Sequence, residues 1–307
     1  MSEKTKAYYK KNYELYLMLL PVLIFVFIFY LLPMYGIALA FKDYDMFAAD
    51  TPLMSVFKSE WVGLEHFIKL FRKPDFLNAF RNTMIISFSK IIFVFPVPIA
   101  FAILLNEVRS VKFQKVLQTI VYLPHFLSWA IVAGIFVDFL GSTGMVNSFL
   151  VAMGGEKVSF LMDNRLFRPV LILSDAWKEV GWSSIIYFAA IAGLDQECFE
   201  AAKVDGAGRF QQIFYITIPG LMPTIILMLI MRVGTIMDAG FGQIFAMYNP
   251  TVYKSGDIIG TYVYRMGLGK MDFSMGTAVG LFESLIALAL VISSNAVAKK
   301  KLGKSIW

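Results

Sequence analysis

EAAKVDGAGRFQQIFYITIP, Glu200 to Pro219, is a polar stretch between two long apolar segments. Glu200-Ala201-Ala202 favours a helix, because Glu and Ala are strong helix formers. Ala201 and Ala202 also leave room for another backbone to approach closely. Gly206 ends that helix, since glycine takes left-handed backbone angles without a Cβ penalty. Phe210 to Tyr215 then resumes a short helix. Pro219 suits the first turn of the next long helix, where its missing N–H costs nothing. The reading is two short helices meeting at a bend within a loop at 194–219, a knob able to seat in a groove on a partner.

The chain around this loop has 307 residues, of which 58% are hydrophobic and only 16% charged. Soluble domains carry about a quarter charged residues, so composition points to a polytopic membrane protein. A membrane helix needs about 20 apolar residues. Six stretches qualify, at 15–41, 84–105, 116–140, 167–192, 221–239 and 275–298. The expected fold class is all-α, a single transmembrane domain over 1–307 with six spans. Pro21, Pro33, Pro96, Pro98 and Pro223 lie in or at the ends of spans, where neighbouring helices and local adjustments satisfy the freed carbonyls.

The net charge is +6, but the basic residues sit beside apolar spans, which fits membrane orientation rather than nucleic acid. Lys4, Lys6, Lys10 and Lys11 precede the first span; Arg109, Lys112 and Lys115 follow the second; Lys203 and Arg209 follow the fourth; Lys299, Lys300, Lys301 and Lys304 follow the sixth. These four segments fall on one side and carry more Lys and Arg than the opposite segments, which are roughly twice as long, so both termini are expected in the cytoplasm. The first apolar run exceeds a leader's h-region and reads as a retained span. Outside, 42–83 suggests a short amphipathic surface helix with Phe67, Leu70 and Phe71 as its apolar face. Asn249-Pro250 marks a turn in 240–274.

Little invites chemistry within the chain. The single cysteine, Cys198, excludes an internal disulfide framework. His66 and His125 stand apart in the sequence, so no metal site is expected. Gly303-Lys304-Ser305 imitates the end of a phosphate-binding loop, but position 298 is Ala where that motif needs Gly. Catalysis is not expected here, and the chain is expected to bind no cofactor of its own.

Ionisable residues inside spans are costly and default to functional candidates. Lys90, Asp138, Asp175, Lys178, Glu179, Arg232, Asp238 and Glu283 are such residues. Lys90 is long enough to snorkel, Asp138 and Asp238 can reach the outer interface, and Lys178–Glu179 reads equally as a structural pair. Arg232 lies about 12 Å into its span; it and Glu283 should face the bundle interior or a watery cavity. Aromatic rings suit sugars, because a pyranose has apolar C–H faces that stack on them. Trp129, Trp177, Trp182, Tyr187 and Phe241 lie near the polar residues of spans three to five. Trp177 is roughly 24 Å of helix from Gly193, in the outer third. The candidate path is therefore Trp129, Trp177, Glu179, Trp182, Tyr187, Arg232, Asp238, Phe241 and Glu283. Trp and Tyr also enrich at membrane interfaces without any such role. Gly276 to Gly280 is a small-xxx-small pattern for close helix packing.

The spacing Glu200-Ala201-Ala202, three residues, Gly206, nine residues, Ile216-Thr217-Ile218-Pro219 resembles the cytoplasmic coupling loop of permease subunits of bacterial ABC importers. Ile218 stands where that family usually has Leu. The likeness extends through Leu32-Pro33-Met34-Tyr35-Gly36, Val62-Gly63-Leu64-Glu65-His66-Phe67, Tyr122-Leu123-Pro124-His125-Phe126, Ala176 to Trp182, and Tyr262-Val263-Tyr264-Arg265. These resemble the carbohydrate-uptake, maltose-type permeases, in the subgroup importing oligosaccharides from degraded polysaccharides. Gly242 and Gly260 depart from that subgroup, which often has Glu and Asp there.

The resemblance implies a type I ABC importer permease fold in the bacterial cytoplasmic membrane. It implies a second, homologous permease as partner, two ATPase domains holding ATP and magnesium, and an extracytoplasmic solute-binding protein that delivers an oligosaccharide. It makes Glu200, Ala201, Ala202, Asp205, Gly206, Arg209 and Pro219 the ATPase-coupling residues. Glu200 would face a basic group of the ATPase, and Gly206 would set the bend. An ion-coupled secondary carrier is the alternative; it needs a midplane ion site and usually paired repeats, and gives the loop no role. An intramembrane enzyme is a third reading, with no residue set to support it.

Overall fold

A computed structural model describes residues 11–302 of the chain. Lys4, Lys6, Lys10, Lys304 and the Gly303-Lys304-Ser305 tripeptide lie outside that range. Packing divides the chain into two compact units. One reaches to Leu70 and takes in Met266–Leu281; the other holds Phe71–Arg265 and the chain from Phe282 onward.

In the first unit, α1 (Tyr13–Val26) runs on through a π-turn, Phe27–Leu31, and a 3₁₀ stretch, Leu32–Phe41. Pro33 lacks the N–H for a regular ladder, and such turns absorb the defect. No residue of α1 is buried, although the helix is apolar all round. The two strands among the described residues follow, Lys42–Asp43 and Glu60–Trp61, antiparallel with Lys42 opposite Trp61. Between them α2 (Pro52–Lys58) is capped by Thr51. Its buried Ser55 and Ser59 bind the preceding turn, accepting from the N–H groups of Ala49 and Asp45. Ser274 closes the unit, accepting from Tyr44 N and donating to the Lys42 carbonyl. Gly276 approaches Gly267 so closely that a Cβ would lie 3.1 Å from its Cα, whereas Gly280 faces open space. Only half of that small-residue pattern serves packing within the chain. In α3 (Glu65–Arg72) Leu70 is buried and Phe67 half-buried, but Phe71 is exposed.

In the second unit, α4 (Pro74–Ser89), a π-turn (Lys90–Val94) and α5 (Pro96–Asn106) form one long helical run. It starts ten residues before the apolar count suggests, at a proline suited to a first turn. Its polar early residues are satisfied by distant backbone: Asn78 donates to Tyr253 O, Asn82 to Asp257 O, and Thr83 accepts from Ile259 N.

The expected span 116–140 is not one helix. α6 (Val111–Tyr122) ends in a 3₁₀ turn carrying Pro124, and α7 (Trp129–Leu140) restarts with Ser128 as its cap. Pro124 cannot continue the ladder, and a serine cap begins a new one. α8 (Met145–Ala152) follows after a short turn.

α9 (Phe167–Ala192) occupies the expected 167–192. The helices α4 to α7 all pack on it. A Cβ on Gly181 would run into the Val121 carbonyl of α6. After α10 (Gln196–Val204) and α11 (Arg209–Gln212), a π-turn leads into α12 (Ile218–Gly234). α12 stops five residues before the expected end, at a turn that leads into α13 (Phe241–Met247). α14 (Tyr253–Gly256) and α15 (Ile259–Val263) precede α16 (Phe273–Leu302), the last long helix.

Five helical runs are both long and apolar enough to cross a membrane: Tyr13–Phe41, Pro74–Asn106, Trp129–Ala152, Arg209–Gly234 and Phe273–Lys300. α9 is long enough, but Arg168, Asp175, Lys178 and Glu179 lower its hydropathy. Its polar side chains sit where other helices shield them, as membrane bundles require. The fold is mostly helical and polytopic.

Candidate functional site

Two sites emerge, an exposed elbow and a polar cavity. At the elbow, the Asp195 side chain caps α10 by accepting from the Glu197 N–H at 2.9 Å. At the far end Gly206 takes φ +80°. Its N–H donates to Lys203 O at 3.1 Å, and the Ala207 N–H donates to Ala202 O at 2.8 Å. This pair of bonds is the Schellman closure, which calls for a left-handed residue at position 206. Gly208 N–H then donates to Gln211 Oε1 at 2.7 Å, opening α11. A Cβ on Gly206 would meet nothing within 4 Å, so backbone conformation, and not crowding within this chain, selects glycine.

Around the bend Val204, Phe210 and Tyr215 are 88%, 78% and 79% exposed. Glu200, Ala201, Asp205 and Arg209 are exposed too, and Ala202 is half-buried. Clustered apolar side chains in water mark a contact surface. Arg209 Nη1 lies 3.5 Å from Glu107 Oε2, tying the elbow to the end of α5. Pro219 lies in the first turn of α12, as the sequence suggests. Helical structure runs unbroken from Arg209 to Gly234, and the π-turn Ile213–Thr217 just before Pro219 accommodates its missing donor.

A recess beside the cavity is built around Lys90, which is 1% exposed. Its Nζ donates to Asp175 Oδ1 at 3.1 Å, to Ala239 O at 3.1 Å and to Gln243 Oε1 at 2.5 Å. The Gln243 amide in turn donates to Leu171 O and Ser174 Oγ. The turn beyond α12 is thus pinned to α9 and to the π-turn of the α4–α5 run. The turn is strained: Ala239 has φ +50° and Gly240 φ +86°. A Cβ on Gly240 would sit 2.6 Å from Lys90 Nζ. Lys90 does not snorkel. One carboxylate and two carbonyl oxygens take its three protons, which makes burial of the charge tolerable.

Asp175 offers its other oxygen to Arg232, whose Nη2 lies 3.6 Å away. The Arg232 side chain is 42% exposed and borders a cavity of about 290 Å³ with Asp175, Glu179, Tyr187 and Thr235. The smaller recess joins Lys90, Asp175, Arg232 and Asp238. A guanidinium held from behind by a carboxylate, with its free edge in a cavity, is suited to bind hydroxyls or a carboxylate through paired hydrogen bonds.

His125 does not stand alone. Its Nδ1 lies 2.7 Å from Glu179 Oε2, and its ring stacks on Trp182 at 4.5 Å. Lys178 pairs with Glu179 at 3.0 Å, donates to the His125 carbonyl, and lies over the Trp129 ring. Glu179, Trp129 and Trp182 therefore gather around the break between α6 and α7, and Tyr187 lines the cavity, buried. Trp177 is not brought in; it lines a separate apolar hollow with Phe136 and Phe139. Phe241 packs beside Gly260, and Asp238 Oδ1 accepts from its N–H at 3.3 Å. Glu283 is half-buried and borders neither cavity. The sequence reading had Asp175 among the costly residues but missed its centrality. It missed Gln243, which nothing in a polar amide within 240–274 distinguishes.

Residues 95–301 match the family model described as "Binding-protein-dependent transport system inner membrane component". Protein LplB of Bacillus subtilis (strain 168) is 44% identical over 292 residues, 95% of this chain and 90% of that protein. The polygalacturonan/rhamnogalacturonan transport system permease protein YteP of the same organism is also 44% identical, over 93% of this chain and 88% of its own. Among solved structures, a chain of a bacterial alginate ABC transporter, crystallised in complex with an alginate pentasaccharide-bound periplasmic protein, superposes with a TM-score of 0.90. It is 40% identical and covers 99% of this chain and 100% of that one.

Proposed function

The chain belongs to the family of inner membrane components of binding-protein-dependent transport systems, and we propose that it carries acidic oligosaccharides through a pathway shared with a second permease. It is the permease subunit of an ATP-driven ABC importer and not itself the ATPase. In this reading α9 is a sixth span, both termini are cytoplasmic, and a periplasmic binding protein delivers the sugar. ATP and magnesium belong to two ATPase domains below.

The observation that carries the reading is the exposed elbow continued by an unbroken helical run into the cavity wall. Arg209–Gly234 is 26 residues long, about 39 Å at helical rise. Force applied by an ATPase at Val204, Gly206 and Phe210 passes from the bend into this run and along it to Arg232. The π-turn at 213–217 lies near its base, where such turns often serve function. Access then alternates between discrete states, each favoured by a different nucleotide state of the ATPases. Arg232 supports the acidic class, since a uronate carboxylate can share its guanidinium with Asp175. The relatives named for polygalacturonan and alginate transport are consistent with that chemistry.

The test is uptake of oligogalacturonates into proteoliposomes holding the full complex and its binding protein. Uptake should require ATP inside and be indifferent to ion gradients. Accumulation driven by a proton or sodium gradient without ATP would contradict the reading.

A further inference from the structure

α13 and the residues after it carry a row of rings outside the cavity just described. One face of α13 is buried: Gln243, Ile244 and Met247. The other face shows Phe241, Phe245 and Tyr248 at helical spacing, of which Phe241 and Tyr248 are half-buried against the core. Ring centroids step 5.3 Å from Phe241 to Phe245, 6.1 Å on to Tyr248, and 5.3 Å on to Tyr253. Tyr264 stands edge-on to Phe245 at 4.7 Å. Phe245 and Tyr264 are 39% and 43% exposed.

The row has two defined ends. The inner end is Phe241, whose N–H donates to Asp238, a residue of the recess shared with Arg232. The outer end is Tyr253, with the Arg265 guanidinium 4.9 Å above it. Arg265 is locked by a two-pronged pair to Asp257, at 3.0 and 2.7 Å. That hydrogen-bonded carboxylate raises the guanidinium pKa further, so Arg265 stays charged.

Resting on the proposal that the cargo is an oligosaccharide, we propose that this row is a saccharide track, along which the sugar chain slides ring over ring into the Arg232 cavity. Each aromatic ring offers an apolar surface to a pyranose C–H face, without fixing which sugar passes. The rings are held on a packed base, Ile244 and Met247 in the core with Phe167 and Leu171, so little order is lost on contact. Gly260 fits the same role. A Cβ at Gly260 would lie 2.9 Å from Phe241 and displace its ring.

The experiment compares chain lengths in proteoliposomes of the complete complex, with digalacturonate and pentagalacturonate as probes. For Phe245→Ala and Tyr248→Ala, uptake of the pentamer should fall about tenfold, while that of the dimer falls much less, because only the longer chain spans several rings. Phe245→Trp should restore the pentamer. An equal fall for both lengths, or none, would overturn the track. So would loss of the second permease from purified Phe245→Ala complexes, which would make the face a subunit contact. If the wild-type complex takes up neither probe but imports a neutral oligosaccharide with ATP, the acidic reading fails and the same length comparison on that sugar decides the track; if it imports only solutes that are not saccharides, the track falls with the oligosaccharide reading.

Discussion

Lys90 is a single side chain on which three elements depend. Replaced by methionine, it would leave Asp175 and Gln243 buried without their shared donor, and Ala239–Gly240 without its anchor. Breaking a buried pair by removing one partner costs about 3–5 kcal/mol. Lys90→Met should therefore lower the apparent melting temperature in detergent strongly, and Asp175→Asn should do so as well. The double variant Lys90→Met/Asp175→Asn should be less destabilised than the two losses added together, since neither charge is then stranded. Additive losses, followed by intrinsic fluorescence on heating, would show that the two residues act separately. The sequence names Lys90 and Asp175 as costly residues, because charge inside an apolar run is visible. It hides their pairing, since the partners lie 85 and 153 positions away, and periodicity carries no information over that distance.

Within the second unit α9 is the helix on which α4 to α7 and α12 pack, and it carries Arg168, Asp175, Lys178 and Glu179. In lipid, helices gain little from burying apolar surface against each other, and close packing and hydrogen bonds decide association. Gly181 gives α6 its approach, with the Val121 carbonyl where a Cβ would be. Gly181→Ala should already weaken the α6–α9 contact, and Gly181→Val should prevent a monodisperse peak in fluorescence-detected size exclusion. A Gly181→Val protein that elutes and melts like wild type would show that α6 is not held as described. The helices themselves were legible from apolar length, and α9 fell within 167–192 as read. Their ends were less so. Asn78 and Asn82 look like loop residues until Tyr253 and Asp257 are seen to receive their protons. The break inside 116–140 had its signal in Pro124 and Ser128, which the apolar count outweighed.

At the scale of the whole molecule, the bend at Gly206 and the helical run beyond it join an exposed elbow to the wall of a cavity. The bend was legible because Gly at a left-handed helix end has a local cause. The cavity was partly legible: Arg232, Asp238, Glu179 and Tyr187 border it or its recess, while Trp129, Trp177, Trp182, Phe241 and Glu283 do not. Tryptophans satisfy interfaces and paths alike, so their presence alone could not sort them. The central claim, that this elbow transmits ATPase motion, is tested most directly by binding-protein-stimulated uptake through reconstituted complexes in which residue 206 is varied. Valine at φ +80° costs about 1–2 kcal/mol in the left-handed conformation and more for its branched Cβ. Asparagine tolerates those angles far better. The account predicts that Gly206→Val complexes assemble but lose ATP-driven uptake, while Gly206→Asn complexes keep much of it; wild-type uptake by the Gly206→Val complex would contradict it.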